Sequence, residues 1–334
     1  MDLLWDTLSF AAKGFIVFLT VAASAAVVFA LARRRGSKPS LEVLPVHDRL
    51  RALADALRAA TLDKKGRKAL ARARKQDAAR ASAKRPSVYV LDFDGDLLAT
   101  NVASLREEIT AITQVATPED EVVLRLESPG GAVPHYGLAA AQLERLTQRK
   151  LRLTVCIDRI AASGGYMMAC VADRIVAAPF AVIGSIGVVA QIPNVRRLLE
   201  KHDVHVEEMT AGEFKRTITV FGEITDKGRA KLKEQLEETH HLFKGFVKAH
   251  RPALDVEAVA TGEYWLARRA AELGLVDELS TSDDYLVARA QDANVFQVRF
   301  KAARPWRQRL GQAAAEVADR VLLGLLSRAR SLER

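Results

Sequence analysis

Four short runs rich in β-branched residues, separated by text of a different period, most limit what this chain can fold into. They are SVYVLDF (87–93), EVVLRL (121–126), LRLTVCI (151–157) and DRIVAA (173–178). Between the first two lies NVASLREEITAITQVA (101–116), and between the second and third GLAAAQLERLTQR (137–149), both with apolar residues at helical spacing. Strands alternating with helices predict an α/β domain with a mainly parallel sheet. In such sheets, ligands bind at loops beyond the carboxyl ends of strands.

Three loops in those positions are glycine-rich: ESPGGAV (127–133), DRIAASGGYMM (158–168) and VIGSIGV (182–188). None has the spacing of a phosphate loop or of a dinucleotide fold. Each alone is ordinary turn material, but three in order, each after a strand, suggest a site. Ser163 stands directly before a small, apolar, helix-like run, so it reads as a helix cap, as a nucleophile, or as both. A serine attacking a carbonyl needs a base for its proton and N–H donors where the oxyanion forms. Gly130, Gly131 and Gly164 can bring bare backbone close to a substrate, and the helix start after Ser163 would add its dipole. Ser128 and Ser185 read as turn residues, and Tyr166, Met167 and Met168 as helix core or pocket wall. His135 is the histidine of the first loop, and a Ser-His-Asp triad through it is open but unforced. His240 and His241, in a charged helical stretch, read as surface.

The formal charge of +9 is concentrated in one segment, because residues 33–85 hold 17 Lys and Arg against five acids. That distribution weakens a nucleic-acid reading. Just upstream, residues 14–32 (GFIVFLTVAASAAVVFALA) pass without a charge at about the length of a membrane span. They are followed by Arg33, Arg34 and Arg35 rather than a small-residue cleavage site, which favours a transmembrane helix over a cleaved signal. The expected organisation is therefore an N-terminal flank (1–13), a transmembrane helix (14–32) and a basic Ala/Lys/Arg-rich tether (33–85) lying outside the fold or on anionic lipid. A catalytic domain (86–300) and an amphipathic C-terminal helical segment (301–334) follow. The basic flank places the domain in the cytoplasm. Cys156 and Cys170 sit in apolar text and are expected as buried free thiols, and no Cys/His cluster has metal-ligand spacing.

The motifs ESPGGAV, AASGGYMMACVAD, APFAVIGSIGVVAQIPN and ATGEYWLARRAAELGLVDEL together resemble the bacterial signal peptide peptidase A family of serine peptidases, over about 87–279. The resemblance implies a Clp protease/crotonase-like fold of repeated ββα units and a Ser–Lys dyad without metal or cofactor. It puts the nucleophile on Ser163 and the general base on Lys215, in TAGEFKRTITVFG (210–222). The oxyanion donors it implies are the N–H of Gly164 and one from Gly130 or Gly131. It further implies a homo-oligomer whose sites are shared between subunits, peptide substrates such as signal-peptide remnants, and an inner-membrane location whose family analogy favours the periplasmic face. A lysine base working at neutral pH must be held roughly 3 pH units below the free value, a bias of about 4 kcal/mol. Phe214, Ile218, Val220 and Phe221 are the candidate apolar wall for it, with Arg216 adjacent. Two rivals remain: a non-hydrolytic membrane scaffold that keeps the fold, and a crotonase-type acyl-CoA enzyme, which the anchor and the serine disfavour.

Overall fold

A computed structural model describes residues 39–63 and 85–302, together with Lys13 and residues 65, 66, 68, 69 and 72. Residues 41–300 form one unit, whose central sheet has seven strands in the order β1-β10-β2-β3-β4-β6-β9. These are β1 (Ser40–Pro45), β10 (Asn294–Lys301), β2 (Ser87–Asp94), β3 (Glu121–Glu127), β4 (Arg152–Ile157), β6 (Arg174–Ala177) and β9 (Glu278–Leu279). From β10 to β9 every neighbouring pair is parallel. A second sheet of three strands holds β5 (Ile160–Ala162), β7 (Val182–Gly184) and β8 (Tyr264–Leu266), with β5 and β7 parallel and β8 antiparallel to β7. The class is mixed α/β, as the alternation predicts.

Parallel strands are covered on both faces, so their sequences are apolar nearly throughout. In β2, Leu91 and Phe93 face one layer and Val88 and Val90 the other. The first layer holds helices α2 (Val102–Val115), α3 (Val133–Thr147), α4 (Gly164–Ala169) and the inner side of the 25-residue α6 (Asp226–His250), after the short α5 (Arg196–Glu200). The opposite layer is thinner: Tyr285 and Leu286 pack there on Val123, Cys156 and Val176, and Val46 joins them. Helix α1 (Val46–Thr61) carries Val46, and α9 (Ser282–Asp292) carries Tyr285 and Leu286. The short helices α7 (Val256–Val259) and α8 (Ala267–Glu272) complete the unit. The order β4-β5-α4 is strand–strand–helix, and this unit positions the site.

Part of the segment expected as an external tether is instead inside the fold. Residues 40–45 add β1 to the sheet, and α1 follows at once. The buried imidazole of His47 meets Val295 O at 2.9 Å through Nδ1 and sits edge-on to Phe296, 5.3 Å between ring centres. The text SLEVLP has strand alternation, but the surrounding arginines and lysines concealed it in a reading by charge. Helix α3 also starts earlier than expected, because Pro134 fits the first turn, where no N–H is needed. The expected transmembrane helix at 14–32 and residues 303–334 of the C-terminal segment lie outside the described residues, and Lys301, expected to open that segment, instead ends β10. Among the described residues no helix is long and apolar enough to cross a membrane.

Candidate active site

The small sheet sets the glycine-rich loops side by side. Ala161 of β5 bridges to Ser128 in the first loop, with Ser128 N–H donating to Ile160 O (2.9 Å) and Ala162 N–H to Ser128 O (3.0 Å). On its other side β5 pairs with β7, Ala162 opposite Gly184. Ser163 and Ser185 therefore stand just past the ends of adjacent parallel strands, and Ser163 N–H donates to Gly184 O at 2.8 Å. Both serines have positive φ, 53° and 51°.

Ser163, at φ 53° and ψ −119°, turns the chain from β5 into α4. A non-glycine residue there is strained, and such strain persists only where the surroundings impose it. Ser163 sits at the capping position of α4, yet its side chain makes no capping hydrogen bond. Among the described residues its Oγ has no partner, and the side chain is half-buried at the wall of a cavity of about 500 Å³. Ser163 thus holds the place of a cap with its hydroxyl left over.

The neighbouring backbone is shaped for close approach. Gly130 has φ +90°, and a Cβ there would lie 2.7 Å from Ala162 O and from Ser163 Cβ. Its N–H donates to Ser128 Oγ at 3.1 Å. Gly131 and Gly164 differ, since neither N–H has an acceptor among the described residues. Gly131 lines the cavity beside Ser163. Of the Gly130–Gly131 pair, the free donor is therefore Gly131.

The cavity is further lined by the third loop, by Val133, Thr261 and Gly262, and by one face of α6, where Lys233, Leu236, Glu237 and His240 recur at helical spacing. His240 is half-buried, with Nε2 3.2 Å from Ile186 O. The sequence reading placed it on the surface; its one signal was that i, i+3, i+4, i+7 face, hidden in a strongly charged helix. His135 is exposed on α3 and does not line the cavity. Tyr166, Met167 and Met168 are core of α4, with Tyr166 donating to Leu275 O at 3.1 Å. Both thiols are free and buried. Burial pushes Cys156 up to about 12 and Cys170 higher still, which keeps both as inert thiols.

Lys215 lies elsewhere. It is exposed in the loop before α6, its N–H donating to Gly212 O at 3.1 Å, and it does not line the Ser163 cavity. Of the candidate wall, Ile218 and Val220 are half-buried but Phe214 and Phe221 are exposed, and the Phe214 ring instead faces the ammonium groups of Lys227 and Lys231 at 5.6 and 5.3 Å. Arg216 pairs with Glu208 at 3.1 Å.

A strained serine between a strand and a helix, with unpaired N–H donors beside it, defines a serine-hydrolase type of site on an α/β fold. A model of the N-terminal part of peptidase family S49 matches residues 2–143, and one of peptidase family S49 itself matches 145–296. "Probable protease SohB" of Haemophilus influenzae is 58% identical over 239 residues, covering 72% of this chain and 68% of that protein. "Putative protease SohB" of Buchnera aphidicola subsp. Baizongia pistaciae is 53% identical over 216 residues, covering 65% of this chain but 62% of its own length, under two thirds. A solved "membrane-bound stomatin-specific protease" with a substrate peptide shares 14% identity at a TM-score of 0.42, covering 70% of this chain and 99% of that one. The chain belongs to peptidase family S49 and is a serine protease, which bears out the family resemblance read from its motifs.

Proposed function

We propose that the chain is a membrane-anchored, homo-oligomeric endopeptidase with a Ser–Lys dyad, acting on short, extended, apolar peptides such as signal-peptide remnants. The observation that carries this reading is Ser163, strained and with its hydroxyl unpaired, beside the free N–H groups of Gly131 and Gly164. Ser163 Oγ attacks the scissile carbonyl while its proton passes to Lys215 Nζ. The carbonyl oxygen, now negative, accepts from the Gly131 and Gly164 N–H groups, donors already in place before charge develops. Collapse breaks the C–N bond, and Lys215 returns the proton to the leaving amine. Water then repeats the cycle on the acyl-enzyme. The two sheets with β4-β5-α4 are consistent with a Clp protease/crotonase-like fold, and the uncharged run at 14–32 supports a single-pass anchor in the inner membrane.

Lys215 acts in the site of a neighbouring subunit. What supports this is its exposure, together with apolar side chains left bare along the same stretch, among them Met209, 88% exposed. A covering subunit would desolvate both the lysine and that surface, which favours a neutral amine. His240 is the second reading for the base, because it already lines the Ser163 cavity of its own chain. Peptide cleavage by detergent-solubilised protein separates the readings, using Ser163→Ala, Lys215→Ala, His240→Ala and pairwise mixtures. The dyad predicts that Ser163→Ala and Lys215→Ala are dead singly and regain activity when mixed, with His240→Ala active. A dead His240→Ala beside an active Lys215→Ala transfers the role of base to His240. Full activity in Ser163→Ala refutes Ser163 as the nucleophile.

A further inference from the structure

Two hydroxyl side chains beneath the Ser163 turn have no part in the chemistry above. Ser128 and Tyr136 are both fully buried and lie 2.6 Å apart, Oγ to Oη. Tyr136 Oη donates to Asp96 O at 2.8 Å, and Ser128 Oγ accepts from Gly130 N–H at 3.1 Å. The directions follow from the atoms. A carbonyl only accepts, so the phenol proton goes to Asp96 O, and the Ser128 proton must then go to Tyr136 Oη. That leaves a Ser128 lone pair for Gly130 N–H. Burial raises the phenol's pKa, which keeps it protonated as the chain requires.

The surroundings are cut to fit these two side chains. A Cβ at Gly95 would lie 2.4 Å from Ser128 Oγ and 2.5 Å from Tyr136 Oη; one at Gly164 would lie 2.4 Å from Tyr136 Cγ. The phenol ring is thus the floor of the nucleophile's turn, and its hydroxyl is the anchor of the first loop. We propose that Ser128 and Tyr136 are positioning residues for the oxyanion site: by holding Gly130 N–H inward, they orient the next peptide so that Gly131 N–H faces the cavity. Without the Ser128 acceptor, Gly130 N–H is a buried orphan donor, and rotating the loop to satisfy it carries Gly131 N–H off its aim. This rests on the assignment of Ser163 as nucleophile and deepens it.

The test uses the full chain in detergent, with Ser128→Ala, Tyr136→Phe and the double variant. Tyr136→Phe keeps the ring under Gly164 and so preserves the fold even where Ser128→Ala disturbs it. A fluorophosphonate counts folded sites and identifies the labelled residue by peptide mass; kcat per titrated site and KM are then measured on a quenched apolar peptide. A donor that acts only in the transition state predicts kcat lower by about 10- to 100-fold with KM within about twofold. Binding of a peptide aldehyde, whose adduct puts an oxygen in the oxyanion position, falls in parallel. Because both hydroxyls belong to one chain of bonds, the double variant is no slower than Ser128→Ala. Unchanged kcat per site, a loss confined to KM, or additive losses overturn the positioning role while Ser163 stays labelled. Failure of the wild type to label at Ser163 overturns the nucleophile assignment and the positioning role with it.

Discussion

Replacing Gly130 by alanine probes the contact on which the site depends. The added Cβ would lie 2.7 Å from Ala162 O and Ser163 Cβ and 2.8 Å from Gly164 N, where ordinary contact begins at 3.4 Å. All three neighbours are backbone or the Cβ of Ser163, so no flexible side chain can absorb the clash. The first loop and the Ser163 turn must separate by about 0.7 Å. A side chain at φ +90° adds roughly 1–2 kcal/mol, and overpacking adds about 1–3 kcal/mol, for a total of about 2–5 kcal/mol. Against a typical stability of about 5–15 kcal/mol, most of the protein remains folded. Catalysis suffers more, since a displacement near 1 Å costs on the order of 100-fold in rate. Urea denaturation and peptide cleavage per titrated site measure the two effects on the same preparation. Gly137→Ala is the control: nothing lies within 4 Å of its added Cβ in helix α3, and the change is expected neutral or stabilising by up to about 1 kcal/mol. A Gly130→Ala protein matching Gly137→Ala in both stability and kcat would refute the close-approach argument.

Three further perturbations address the scaffold. Glu108 is buried and accepts from Phe300 N–H at 2.7 Å, and burial raises its pKa from 4.5 to about 7. Its stabilising proton is fully present below pH 4.5 and lost as pH rises through 7, so Glu108→Gln, which keeps the acceptor, should gain up to about 3 kcal/mol over wild type at pH 8 and nothing at pH 4. A gap in urea midpoint independent of pH refutes this. For Asp277, burial pushes the pKa upward but is outweighed by the Arg251 guanidinium at 2.6 and 2.9 Å and by Ile175 N–H, leaving it below the ordinary carboxylate value. That contribution exists above the ordinary value and disappears as pH falls through the lower folded one, so Asp277→Asn should flatten the acid side of the stability profile, and an unchanged profile contradicts it. His47→Ala should cost about 1–3 kcal/mol through the lost contact to Val295 O, with faster hydrogen exchange confined to residues 40–61; exchange that is unchanged there argues against the docked strand and helix.

How far the sequence reveals this molecule depends on how local each cause is. Strands β2, β3, β4 and β6 are legible because each is a run of β-branched residues buried on both faces, and α2 because its apolar residues keep helical period over 14 positions. β5 is not legible: Ile160, Ala161 and Ala162 are too few to show a period, and they become a strand through partners at Ser128 and β7. The same distance in sequence hides the buried hydroxyl chain, since Asp96 and Tyr136 are 40 residues apart. It also hides Ser185 as a neighbour of Ser163, although each was already visible as the serine of a glycine-rich loop. Lys215 marks the far end of this scale. Strain, burial and unpaired donors can be read around Ser163 from one folded chain, because everything that imposes them lies in that chain. An exposed lysine offers no such signature, and in the reading advanced above, its desolvation is supplied by a second subunit. Recovery of activity on mixing two dead variants is therefore the observable that reports on Lys215, since it detects the neighbour and the residue in one measurement.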